Sequence, residues 1–156
     1  MDGSQVQVGI ISDTHGLLRE EAMAALVGSD VILHAGDVGD PAILQRLVSL
    51  APVFVVRGNV DGGPWAQALP EYELVEVRGV TFYMRHILDE LDLDPVAAGV
   101  DVVVYGHSHE PAAEQRDGVL YLNPGSAGPQ RFDLPVTVAR LTLRDGEMEA
   151  KIVEVA

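Results

Sequence analysis

The stretch Val6-Gln7-Val8-Gly9-Ile10-Ile11-Ser12-Asp13-Thr14-His15 starts as β-strand and ends in groups able to do chemistry. Val6, Val8, Ile10 and Ile11 form a β-branched run that breaks at Ser12-Asp13, so Asp13 and His15 stand at a strand's carboxyl end. Working outward, residues 17–27 carry apolar side chains at helical spacing and reach Gly28, a C-terminal stop. Val31-Ile32-Leu33 is a short buried-type strand running into His34-Ala35-Gly36-Asp37. Asp40-Pro41 supplies an N-cap and a first-turn proline for a helix through residue 50. Residues 53–56 make another apolar strand, ending at Arg57-Gly58-Asn59. The first half therefore reads βαβαβ.

After Gly62-Gly63-Pro64, a loop signal, the texture changes. Residues 71–77 alternate as a half-buried strand does, and Arg78-Gly79 turns into a second strand over 80–85. Residues 89–98 read as a short helix with an acidic first turn, the better reading of the Asp89–Asp94 charge run than a metal site. Residues 102–105 form a buried strand ending in Gly106-His107-Ser108-His109. Asp117-Gly118 and Asp145-Gly146 are hairpin turns, the latter between strands over 135–144 and 147–155.

Composition bounds the rest. The chain has 156 residues, 47% hydrophobic and 22% charged, which suits one domain over residues 1–156 and excludes a disordered chain. Twenty-four acidic against ten basic residues give a formal charge of −14, which argues against broad binding to nucleic acid or to anionic membrane. No cysteine is present, so disulfides, thiolate metal sites and cysteine nucleophiles are excluded. The first dozen residues lack a basic leader region and no apolar run nears the ~20 residues of a membrane span, so a cytoplasmic protein is expected.

The polar motifs at the strand ends carry the function. Ligands bind at the carboxyl ends of strands in open α/β sheets, where separate loops converge. Asp13-Thr14-His15, Gly36-Asp37, Gly58-Asn59, Arg85-His86 and Gly106-His107-Ser108-His109 would meet there. Asp13 and His15 are two apart, as are His107 and His109, so an extended backbone would aim each pair one way. Asp37 has two carboxylate oxygens with which to bridge two ions. Nitrogen and oxygen ligation without sulfur points to Mn, Fe, Zn, Co or Ni, with Mn favoured here. Taken singly, each motif is also an ordinary turn. Together and in this order they resemble the signature of calcineurin-like metallophosphoesterases, and Asn123-Pro124-Gly125-Ser126 is similar to the small bacterial and archaeal phosphodiesterase branch.

That resemblance implies an α/β fold, a four-layer α/β/β/α sandwich of two mixed β-sheets flanked by helices. It implies a first metal on Asp13, His15, Asp37 and His109, and a second on Asp37, Asn59, His86 and His107, these seven residues being the catalytic set. The implied activity is a dinuclear metal-dependent phosphodiesterase, in which a metal-bridging hydroxide attacks a small phosphodiester substrate. Alternatives are a phosphomonoesterase or nucleotide-directed phosphohydrolase of the same superfamily, or a non-catalytic protein-binding scaffold. Homo-oligomers occur in the family. Two departures stand out. Gly58-Asn59-Val60-Asp61 lacks the histidine that in many relatives follows the asparagine, which leaves leaving-group protonation unassigned. Arg85-His86-Ile87-Leu88 replaces the usual Thr-His-Gly-His, so the loop after His86 must differ. His34 is expected behind the ligands, while Asn123–Ser126 reads equally as phosphate cradle or plain turn. Arg57 and Arg131 are minor phosphate candidates, and Trp65 is a packing residue.

Overall fold

Ten strands and four short helices follow from these runs in a computed structural model that describes residues 5–156. The strands are β1 Gln5–Ile11, β2 Val31–His34, β3 Val53–Val55, β4 Tyr72–Val77, β5 Val80–Arg85, β6 Val102–Val104, β7 Ala112–Arg116, β8 Val119–Asn123, β9 Thr137–Arg144 and β10 Glu147–Glu154. The helices are α1 Glu20–Leu26, α2 Pro41–Val48, α3 Pro64–Gln67 and α4 Pro95–Ala98, with a 3-10 turn at Leu88–Glu90. One sheet has the order β10-β9-β1-β2-β3 and the other β4-β5-β6-β8-β7. Both are mixed: β1 pairs parallel to β2 and antiparallel to β9, while β6 pairs parallel to β5 and β8, which pair antiparallel to β4 and β7.

Alternation along the strands builds the layers. Val8, Ile10 and Leu33 meet Phe82, Met84, Val104 and Leu122 in the core between the two sheets. The opposite faces of β1 and β2 bury Ile11 and Ile32 against Ala22 and Leu26 of α1 and Ile43 and Leu47 of α2. Beyond the second sheet, Tyr83, Val103 and Val119 pack with Leu88, Leu91 and Leu93. This is the expected α/β/β/α sandwich, with a thin outer layer on the second side. Among the described residues no helix is long and apolar enough to cross a membrane.

Three expectations need correction. The helix over 89–98 is two pieces: Pro95 has no N–H to continue a helix, and the Asp94 carboxylate instead caps α4 by accepting from Val96 and Ala97 N–H. The helix over 17–27 starts only at Glu20, because the chain first turns at His15–Gly16, where Leu17 N–H bonds Thr14 C=O, and residues 17–19 have no regular structure. Within the Gly62-Gly63-Pro64 loop, Gly63 at φ +92° feeds the proline-led α3, which the loop signal concealed.

Candidate metal centre

All seven predicted ligands lie at the carboxyl ends of β1, β2, β3, β5 and β6, and the loops that carry them are stitched to one another by main-chain bonds. Asp13 N–H donates to Gly36 C=O (3.0 Å), His15 N–H to Asp37 C=O (2.9 Å) and Gly106 N–H to His86 C=O (3.0 Å). Ser126 Oγ donates to Asp13 C=O (3.0 Å) and Ala127 N–H to Ser12 C=O (3.1 Å). The approach is close enough to need glycine: a Cβ on Gly106 would sit 2.7 Å from Asp13 Oδ2, and one on Gly36 2.7 Å from His86 Nδ1.

Two groups of ligand atoms result, Asp13/His15/His109 and Asp37/His86/His107. The expected extended backbone is absent. Asp13, His15, Asp37, His107 and His109 all have positive φ, between +47° and +74°. Asp13 and His15 still share a group, but His107 and His109 part company, one to each. That division contradicts the reading from two-residue spacing.

Asp13, Asp37 and His86 each have one end tied by hydrogen bonds and the other turned inward. Asp13 Oδ2 accepts from Ser12 Oγ (2.7 Å) and His107 N–H (3.1 Å). Asp13 Oδ1 has no hydrogen-bond partner and faces Nε2 of His109, His15 and His86 at 3.4, 3.6 and 3.7 Å. Asp37 Oδ1 accepts from Val60 N–H (3.0 Å), leaving Oδ2 3.0 Å from His86 Nε2 and 3.6 Å from His15 Nε2. His86 Nδ1 donates to Ala35 C=O (2.8 Å), a bond that sets the tautomer and turns the Nε2 lone pair toward the carboxylates. His107 Nδ1 donates to Asn59 Oδ1 (3.1 Å), so Asn59 stands beside the second group on the exposed side.

Charge follows geometry. Burial pushes the Asp13 carboxyl up, but His109 and His15 beside it outweigh that and hold it well below the usual carboxylate range. Asp37 is likewise lowered: burial opposes, and His86 and Val60 N–H win. Burial depresses His86, yet Asp37 and Asp13 raise it overall. Two ionised carboxylates facing convergent, partnerless imidazole nitrogens are a site that calls for positive charge between them. Asp13 Oδ1 and the Nε2 atoms of His15 and His86 are buried without partners, and divalent cations fit this donor set.

The supporting residues fall into place. His34 lies wholly buried, with Nδ1 accepting from Gly36 N–H (3.1 Å) and Nε2 3.1 Å from Thr14 Oγ1, whose own proton goes to Val38 C=O (2.8 Å). These partners require a neutral ring protonated on Nε2, and burial pushes the imidazole pKa down to about 4. His34 is thus behind the ligands, as expected. The Asn123–Ser126 segment is a brace, since Asn123 takes up Gly125 N–H (2.8 Å) and donates to Gly106 C=O (3.2 Å) and Ser108 Oγ (3.1 Å). Its glycine N–H is therefore spoken for and is not offered to a phosphate. Arg57 pairs with Glu71, Arg131 is exposed, and Trp65 packs against the α1–α2 core. Sequence reasoning missed the work of Asp61: it accepts from Gly58 (2.9 Å), Gly39 (3.0 Å) and Val38 (3.2 Å) N–H, locking the Asp37 and Asn59 loops together. An aspartate three residues after a glycine was the available sign of such a turn clamp.

Two clefts flank the second group. One, of about 270 Å³, is walled by Asn59, His86, Ile87, Arg57 and Arg85. The other, of about 220 Å³, is walled by Ile87, Leu88, Tyr105 and His107. The chain is similar to known proteins over most of its length. A probable metallophosphoesterase of Methanocaldococcus jannaschii is 34% identical over 98% of this chain and 83% of its own length. Phosphodiesterase YfcE of Escherichia coli is 30% identical over 83% of this chain and 84% of its own. The fold is shared with a predicted phosphoesterase of Streptococcus pneumoniae (TM-score 0.77, 24% identity, 98% of this chain and 91% of that one). It is also shared with Vps29 of Entamoeba histolytica complexed with Zn²⁺ (TM-score 0.73, 22% identity, 97% and 100%). Since the family model for the calcineurin-like phosphoesterase superfamily domain matches residues 6–146, nearly the whole described sandwich and every ligand loop, this chain belongs to that superfamily.

Proposed function

We propose that the chain, one domain over residues 1–156, is a phosphodiesterase using two divalent transition-metal ions, manganese favoured. Asp13, His15, Asp37 and His109 would hold one ion, and Asp37, Asn59, His86 and His107 the other. By family it is a metal-dependent phosphoric ester hydrolase. The observation that carries the reading is the pair of convergent ligand groups whose buried inner atoms lack partners. When bound, such ions make water nucleophilic near neutral pH and take up charge that grows on the phosphoryl oxygens.

The chain's own residues do the positioning. Ser12 and His107 N–H fix Asp13, Val60 N–H fixes Asp37, and Ala35 C=O keeps the His86 Nε2 lone pair pointing inward. Asp61 holds the two loops at one spacing. The Val60 side chain, exposed beside Asn59, does no proton chemistry, which favours esters whose leaving group departs unassisted. Two clefts that share Ile87 give a diester's two arms separate places, whereas a monoester has one arm to seat.

The test compares bis-p-nitrophenyl phosphate with p-nitrophenyl phosphate, after chelation and again with Mn²⁺. Metal-restored turnover that prefers the diester is expected. Preference for the monoester transfers the site to phosphatase chemistry. Metal binding without turnover of either ester favours the scaffold role that the Vps29-like fold allows, and absence of metal binding overturns the centre itself.

A further inference from the structure

The larger of these two clefts has a wall that the proposed reaction does not use. Arg57 and Arg85 lie there beside Asn59 and His86, and their own partners hold them weakly. Arg57 donates to Glu71 at 2.9 Å, but the glutamate side chain is 61% exposed. Arg85 is only 14% exposed, while its carboxylates are distant and wet: Glu90 at 3.9 Å and Asp92 at 3.8 Å, with 59% and 70% of their side chains exposed. Its Nε is buried with no hydrogen-bond partner, and its other neighbours are the Tyr83 hydroxyl at 3.4 Å and the Tyr72 ring at 5.8 Å.

In a chain with ten basic residues and a charge of −14, this cleft gathers two guanidinium groups against three carboxylates: Asp61, tied to backbone N–H groups, and Glu71 and Glu90 at the rim. Ion pairs with solvent-exposed carboxylates add little, so an incoming oxyanion can displace these rim groups. The guanidinium fork matches phosphate oxygens in pairs. The geometry points to Arg57 and Arg85 as the receptor for a second phosphate on the substrate, carried on the ester arm that enters this cleft. Charge selects phosphate over other groups: a phosphate monoester carries about −1.5 to −2 near neutral pH and answers both arginines. A carboxylate would leave one cation unmatched, and a bare sugar would leave two. The substrate class is then a diester of an already phosphorylated alcohol. This deepens the proposed phosphodiesterase reading and rests on it.

The test uses thymidine 5′-(p-nitrophenyl phosphate) with and without a 3′-phosphate, on the Mn²⁺-loaded full chain. The 3′-phosphate is expected to raise kcat/KM about tenfold or more, mainly through KM. Arg85→Gln should bring that ratio to within about twofold of one, Arg85→Lys should recover part of it, and Arg57→Gln should reduce it less. Calorimetry with thymidine 3′,5′-bisphosphate against thymidine 5′-phosphate reads the same preference without turnover. Equal kcat/KM for the two diesters with equal affinities for the two nucleotides overturns the subsite. If neither diester is hydrolysed, the phosphodiesterase reading fails, and calorimetry still decides: tighter bisphosphate binding that Arg85→Gln abolishes upholds the subsite, and equal binding overturns it.

Discussion

Apart from the exposed Phe132, left-handed backbone at residues other than glycine occurs in two settings among the described residues, and they differ in what holds it. Arg78, Asp117 and Asp145 have φ of +52° to +53°, each followed by a glycine near +80°, and each joins two strands through a two-residue loop. That is the hairpin turn whose twist matches the strands, so the conformation is local and repeats three times. Asp13, His15, Asp37, His107 and His109 take the same φ region with no common local pattern. Bonds from other loops hold them: Asp13 and His15 by Gly36 and Asp37, and the peptide of His107 by Asp13 Oδ2. Each such residue costs of order 1 kcal/mol, which the surrounding structure must offset. The hairpins use the left-handed region to reverse the chain; the candidate centre uses it to turn side chains from separate strands toward one point.

That contrast is sharpest at Asp37. Asp37→Asn should lower kcat/KM on bis-p-nitrophenyl phosphate by about 10³-fold, the several kcal/mol that metal-held charge supplies, with folding retained by circular dichroism. His34→Gln should cost less activity. A comparable loss in both would erase the division between ligands and the residues behind them.

His34 also gives a pH signature. Its folded pKa is about 4 against 6.5 unfolded, so between those values the unfolded chain binds the extra proton and stability falls as pH falls. The loss from this group approaches about 3 kcal/mol by pH 4. Urea unfolding of chelated protein at pH 7 and pH 4.5 should show it, and His34→Gln should remove it. The lowered Asp13 and Asp37 carboxyls act below this window, where stability is lost as pH drops through the carboxylate range. His86, raised, contributes in the opposite sense, stabilising at low pH and losing that contribution as pH rises above the usual imidazole range. Comparing wild type with the variant therefore isolates His34.

Asp61→Ala tests whether the site loops depend on tertiary bonds. Removing the acceptor of three backbone N–H groups should cost roughly 10–100-fold in metal affinity, read by calorimetry with Mn²⁺. Asp117→Gly, at a hairpin, should change stability by less than about 0.5 kcal/mol and leave hydrolysis unaltered. An activity loss there would break the distinction between the two settings.

Legibility divides along the same line. Strand positions and the Asp-Gly hairpins were readable because alternation and turn chemistry are local. The candidate ligand residues were readable as a set because each follows a short apolar strand. The interrupted helix near Pro95 could have been read from the proline, but the acidic run before it masked the break. The inward tie of Asn123 and the three-way clamp of Asp61 were not readable, since their partners lie up to 23 residues away.

By itself the sequence determined the strand and helix runs and which candidate ligand side chains stand at strand ends, because apolar periodicity selects which faces are buried; the two-sheet sandwich and the two ligand sets came with the family resemblance. Only the tertiary structure decided that the site backbone is left-handed, that Asp61 clamps the Asp37 and Asn59 loops, and that Arg57 and Arg85 line one cleft. Those outcomes rest on contacts between loops distant in the chain, which no local run of residues encodes.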